Sequence, residues 1–182
     1  MKILRRTISF AIVLLLGNAP AAVVDAGQGG FTTVHEVTIA ATRDVVWRAA
    51  IDVGQWWSSD HTVSGDASRL SISATPQGCF CESFGGGAGV VHLTVTMVNP
   101  GVILRLTGGL GPLGLMGVIG NMIWEFEDTD AGTRVRFTYA VGGYRAGGLE
   151  EMTGPVDTVI GDALARLKAY LETGDAENAD SE

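Results

Sequence analysis

What most constrains this chain is a run of alternating segments from Arg69 to Val141 that ends in one long amphipathic helix. Leu70, Ile72 and Ala74 alternate with Arg69, Ser71 and Ser73 before Pro76-Gln77-Gly78 turns the chain. Cys79 to Phe84 forms the next short segment, closed by Gly85-Gly86-Gly87. Val91, Leu93, Val95 and Met97 oppose His92, Thr94 and Thr96, and Asn99-Pro100-Gly101 supplies a hairpin turn. Val102, Leu104 and Leu106, then Met122, Trp124 and Phe126, then Val135, Phe137, Tyr139 and Val141 repeat the pattern. A period of two means antiparallel strands with one packed face and one wet face. From Leu149 to Leu171 the period changes: Met152, Val156, Val159, Ile160, Ala163, Leu164, Leu167, Tyr170 and Leu171 make one apolar helical stripe, which Gly174 ends. The packed face of the sheet needs a cover, and this helix supplies it.

Upstream, Phe31 to Ala40 reads as an opening strand. Thr42 is placed to cap a helix with Asp44 near its positive end and Val46, Trp47, Ala50 and Ile51 on one face. A second helical turn is expected at Gln55-Trp56-Trp57. The order is strand, two small helices, about six strands and a long helix, hence an α+β class.

Composition bounds the function. The chain has 182 residues with 46% hydrophobic and 18% charged, enough for one domain with a real core. Its net charge of -8 argues against nucleic acid, which needs a basic face. The two cysteines and three histidines fit no zinc-finger spacing, so no metal or cofactor is expected.

The first twenty-six residues read as a cleavable export signal. Lys2, Arg5 and Arg6 form a positive region, and Ile8 to Leu16 is an apolar core too short to span a membrane. Ala19-Pro20-Ala21 and Val24-Asp25-Ala26 both fit a peptidase site. Arg5-Arg6 leaves the general secretory and twin-arginine routes both open. A periplasmic or secreted protein without a stable membrane span after cleavage is expected. The acidic tail, Thr173 to Glu182, lacks apolar periodicity and is expected to be frayed and disordered, with residues 175–182 outside the domain.

Several words in the chain resemble the SRPBCC, or START-like helix-grip, superfamily. They are V-H-E-V-T-I-A-A-T-R-D-V-V-W, Trp56-Trp57, L-R-L-T-G-G-L-G-P-L, W-E-F-E, G-T-R-V-R-F-T-Y-A-V-G-G-Y and D-A-L-A-R-L-K-A-Y-L-E-T-G, between Phe31 and Gly174. The resemblance runs most closely to bacterial homologues of the heat-shock protein 90 ATPase activator's C-terminal domain and to polyketide cyclase-like proteins. It implies a domain over residues 31–174 in which a curved antiparallel sheet grips the C-terminal helix around an apolar cavity.

Trp124, Phe137 and Tyr139 on the sheet and Met152, Val156 and Ile160 on the helix are the expected cavity wall. Trp56 and Trp57 are adjacent, so one is expected in the core and the other at the cavity mouth. Gly108 to Gly120 carries Leu110, Leu113, Leu115, Met116, Val118 and Ile119 among six glycines and no polar side chain but its own backbone. It is too glycine-rich for a regular element and is expected to cover the cavity entrance; a homodimer contact is the alternative.

Cys79 and Cys81 lie two apart, and in a regular strand that separation is roughly 7 Å between Cα atoms, the strained limit for a disulfide. Two reduced, buried thiols are therefore expected. The titratable candidates are His35, His61, His92, Glu82, Glu125, Asp60 and Tyr139. His92 shares a face with threonines and reads as solvated, while His61 beside Asp60 could form a loop pair. No Ser-His-Asp order, phosphate loop or metal motif emerges, so no catalytic residue is assigned. The first functional reading is an exported binder or carrier of a small hydrophobic molecule. A cyclase- or hydrolase-like enzyme, with Tyr139 or a loop acid as proton donor, is the second. A chaperone-activator-like interaction domain is the third.

Overall fold

The computed structural model describes residues 22–181. The positive region, apolar core and Ala19-Pro20-Ala21 site of the leader lie outside the described residues, apart from the boundary at Ala22. Eight strands form one antiparallel sheet: β1 (Ala22–Gly27), β2 (Gly30–Ile39), β3 (Leu70–Ile72), β4 (Cys79–Gly85), β5 (Ala88–Asn99), β6 (Ile103–Gly108), β7 (Gly117–Thr129) and β8 (Gly132–Tyr144). Their order across the sheet is β1-β2-β8-β7-β6-β5-β4-β3. The curved sheet wraps the long helix α2 (Glu150–Thr173), and the short helix α1 (Arg43–Ile51) follows β2. This is the expected α+β helix-grip architecture.

The core forms where the alternating apolar faces meet α2. Trp124 stacks on Phe137 with ring centroids 4.4 Å apart, and Trp56 packs against Trp124 from the other side. Ile160, Ala163, Leu164 and Leu167 of α2 are all buried against this layer. His35 on β2 reaches Asp157 on α2 at 2.8 Å, tying helix to sheet. Gly161 permits that contact, because a β-carbon there would lie 2.7 Å from the His35 ring.

Several local expectations are corrected. Thr42 occupies the N-cap position of α1, but its hydroxyl makes no capping bond; Asp44 instead pairs with Arg48 at 2.7 Å. Cys79 and Cys81 form a disulfide. The β4–β5 pairing breaks register between Phe80 and Cys81, and the two Cα atoms come within 5.4 Å. The assumption of a fully extended strand therefore fails at the point where it was applied. The segment 108–120 is not a single loop: Gly111–Leu115 is a 3₁₀ turn, and Gly117 onwards extends β7, paired with β8 up to Tyr144.

The acidic tail is packed, not frayed. Residues Ala176–Ser181 form a 3₁₀ turn, Ala176 is buried, and Glu177 pairs with the guanidinium of Arg166. At the other end, Ala22–Gly27 pairs with β2 as an edge strand. A cut after Ala26 would remove most of β1, whereas a cut after Ala21 would leave it whole.

Candidate functional site

The sheet's β4–β5 end and the N-terminal half of α2 diverge and leave a cavity of about 480 Å³. That lies within the usual range for small-molecule sites. Its walls are Trp57 and the 60–63 loop, Phe84 of β4, residues 90–92 of β5, the 109–115 segment, and Met152, Pro155, Val156 and Val159 of α2.

Of the residues expected to line it, Trp57, Leu110, Leu115, Met152 and Val156 are brought together at the cavity. Trp56, Trp124, Phe137, Tyr139 and Ile160 are instead fully buried in the core beside it. Met116 is half-buried and packs against that core. Both adjacent tryptophans are buried, Trp56 in the core and Trp57 against the cavity. The chain leaves the helical conformation at Trp56, so the side chains splay: Trp56 toward Trp124, Trp57 toward Phe80. Each indole donates to a local carbonyl, Trp56 to Ala49 at 2.9 Å and Trp57 to His61 at 3.2 Å.

Tyr139 fixes the start of the covering segment. Its hydroxyl donates to the Gly108 carbonyl and accepts from the Leu110 amide, both at 3.1 Å. Burial pushes its pKa up to about 12, against the opposing effect of the Leu110 bond. That hydroxyl is committed to the backbone and is a poor proton donor to a ligand. The covering segment then alternates in depth: Leu113 is 1% exposed and Leu115 is 93% exposed.

His92 overturns its expected outward position. Phe80 pairs with Leu93 and Cys81 with Val91, so His92 is an extra residue on β5, a bulge. The bulge turns its ring inward, leaving Val91 exposed and His92 only 5% exposed on the cavity wall. Its Nε2 meets Glu82 at 3.0 Å. Glu82 also accepts from the amides of Val63, at 3.0 Å, and Ser64, in the loop that forms the adjoining wall. Burial alone would raise the Glu82 pKa, but the bonds from Ser64, Val63 and His92 outweigh it and hold it at about 2.

The signal for this pair was present. Glu82 is in phase with Phe80 on β4, so an inward phenylalanine implied an inward acid in need of a partner. The remaining titratable candidates separate from the cavity or lie at its rim. His35 is bound to Asp157 on the other side of α2, and Glu125 is exposed. Asp60 and His61 line the mouth but are exposed and share no hydrogen bond. Among the described residues, no cluster of three His, Cys, Asp or Glu could hold a metal, and no helix is long and apolar enough to cross a membrane.

A family model described as polyketide cyclase / dehydrase and lipid transport matches residues 31–172. The chain belongs to that family. Among solved structures, the Aha1 dimer of Colwellia psychrerythraea is similar at 19% identity, covering 79% of this chain and 97% of that one, with a TM-score of 0.56. Protein MLL2253 of Mesorhizobium loti is similar at 18% identity, covering 79% and 98%, with a TM-score of 0.57. DynU16, from the dynemicin biosynthetic locus, shares 22% identity over 80% of this chain and 48% of that one, with a TM-score of 0.56. At these identities the likeness establishes the helix-grip fold. No curated protein sequence matches the chain.

Proposed function

We propose that this protein binds and carries a small hydrophobic molecule in the cavity between the sheet and the N-terminal half of α2. The observation that carries the reading is the 480 Å³ cavity, walled mainly by apolar side chains and roofed by a glycine-rich segment. Family membership supports it, since lipid transport stands in the family's description. An environment-sensitive apolar dye tests the reading. Saturable binding at one site is expected, and Val156→Asp, which puts a charge on the cavity wall, should weaken it at least about tenfold. Dye that binds only to unfolded protein would remove the reading.

We propose that this binding takes place outside the cytoplasm, in the periplasm or beyond, a reading supported by the cationic and then apolar N-terminal sequence. β1 supports cleavage after Ala21 in preference to Ala26, because the first leaves the edge strand whole. Residues 1–30 fused to a reporter should direct it across the inner membrane, and the mature native protein should begin at Ala22. A retained, uncleaved fusion would sink the localisation.

A homodimer through the Gly111–Leu115 turn is a second reading, favoured by the exposure of Leu115. Sedimentation equilibrium across a concentration series tests it, and Leu115→Asp should abolish any dimer seen.

A further inference from the structure

The cavity is apolar except at its mouth and at one deep point, His92. Asp60 and His61 at the mouth are exposed to water, whereas His92 is 5% exposed. What that imidazole offers a ligand is fixed by what lies behind it. Glu82 is ionised at any ordinary pH and so can only accept hydrogen bonds. The proton of the Glu82–His92 bond must therefore sit on Nε2 of His92. In a neutral imidazole the second nitrogen, Nδ1, is then a hydrogen-bond acceptor. Among the described residues nothing donates to it. An unpaired acceptor on an otherwise apolar cavity wall can take a hydrogen bond from a ligand that carries a donor.

We propose that His92, oriented by Glu82, is the recognition point of the cavity, and that the ligand is a neutral apolar molecule bearing a hydroxyl that donates to Nδ1. The inference rests on the carrier reading and narrows it from any hydrophobic molecule to hydroxylated ones. Two further features favour it. Glu82 holds the Val63 and Ser64 amides as well as the ring, so the acceptor and the loop beside it are positioned by one carboxylate. The charges of Glu82 behind the ring and Asp60 at the mouth repel anions, so a neutral hydroxyl is preferred to a carboxylate. His92 is a binding residue in this scheme and Glu82 a positioning residue. No bond of the ligand is made or broken.

Four probes of one shape separate the cases: 2-naphthol, 2-methoxynaphthalene, 2-methylnaphthalene and 2-naphthoate, each titrated calorimetrically into the full chain. The expected order has naphthol about tenfold tighter than the methoxy and methyl compounds, as one well-made hydrogen bond allows, and naphthoate weakest. In His92→Leu the naphthol advantage should fall to within about threefold while methylnaphthalene binding is kept. Nitrogen-15 spectra of the wild-type imidazole give a readout independent of whether that variant folds. The free protein should show the Nε2–H tautomer, and naphthol but not methylnaphthalene should shift Nδ1. In Glu82→Gln the amide can donate to Nε2, so the tautomer should change and the naphthol advantage should disappear. Equal affinity for naphthol and methylnaphthalene, tighter binding of naphthoate, or an unmoved Nδ1 signal would each overturn the inference and leave the carrier reading standing. Failure of all four probes to bind would overturn both.

Discussion

Gly120 lies flat against the ring of Tyr139: a β-carbon at position 120 would sit 2.3 Å from the ring's Cε2. The ring cannot retreat, since its hydroxyl bridges the Gly108 carbonyl and the Leu110 amide. Glycine at 120 thus lets a buried tyrosine staple the entrance of the covering segment. Gly108 has a matching requirement, with φ of +149° and the His92 carbonyl 2.6 Å from where a β-carbon would stand.

Gly120→Ala should therefore destabilise the fold by about 1–3 kcal/mol through overpacking. Tyr139→Phe should cost about 1 kcal/mol, the usual value of a lost buried hydrogen bond. Urea midpoints check both. The phenylalanine variant should also exchange the Leu110 amide faster than wild type, because its acceptor is gone.

The large elements were legible because periodicity reports them directly. The strands and the α2 stripe from Met152 to Leu171 follow from side chains that must alternate or recur to bury one face. The site was less legible because it depends on departures from that regularity. One extra residue in β5 turned His92 inward, and strict alternation assigns it to solvent. A local change of register likewise brought Cys79 and Cys81 within disulfide reach. The aromatic residues Trp124, Phe137 and Tyr139 were correctly seen as inward, but inward meant core, because neighbouring rings fill the space. Ala22–Gly27 and Ala176–Ser181 were missed as ordered elements because each is short and held by a distant partner, β2 in one case and Arg166 in the other.

Acid should reveal the buried carboxylate. The folded pKa of Glu82 is about 2, below its ordinary 4.5, so the folded state favours the ionised form. The stability this supplies is complete above pH 4.5 and drains as pH falls toward 2. The urea midpoint of the wild type should drop across that window. Asp66 and Glu177, whose pKa values are also lowered, share in the drop. The informative quantity is therefore the difference: Glu82→Gln should be less stable at pH 7 and should show a flatter acid limb. Parallel limbs would remove Glu82 as an anionic anchor.

Two contacts of Arg166 carry unequal weight. Its Nε donates to the Trp56 carbonyl at 3.0 Å in a buried setting, and its terminal nitrogens pair with Glu177. The arginine side chain is 7% exposed and that of Glu177 is 73% exposed. Arg166→Ala should cost about 3 kcal/mol, since it leaves a buried carbonyl unpaired and empties packed space. Glu177→Gln should cost far less, as solvent already screens that half of the contact. Thermal melts of the two variants check the ranking; equal losses would mean that the tail contact carries the stability.

Leu113 and Leu115 divide the covering segment into an anchor and a free end. Leu113 is 1% exposed and joins the main core, so Leu113→Asp should bury an uncompensated charge and prevent cooperative folding. Leu115 is 93% exposed yet lines the cavity mouth, so its side chain contributes little to the closed fold. Leu115→Asp should shift the melting temperature by less than about 2 °C, in keeping with a surface change of under 0.5 kcal/mol. It should nevertheless alter entry of an apolar probe, because the probe meets a carboxylate at the rim before it reaches the wall. Stopped-flow fluorescence with an apolar dye measures this: the association rate should fall at least about threefold while the melting curve stays in place. A variant that melts normally and takes up dye at the wild-type rate would show that ligands do not enter past this turn. A variant that unfolds would show instead that Leu115 belongs to the core.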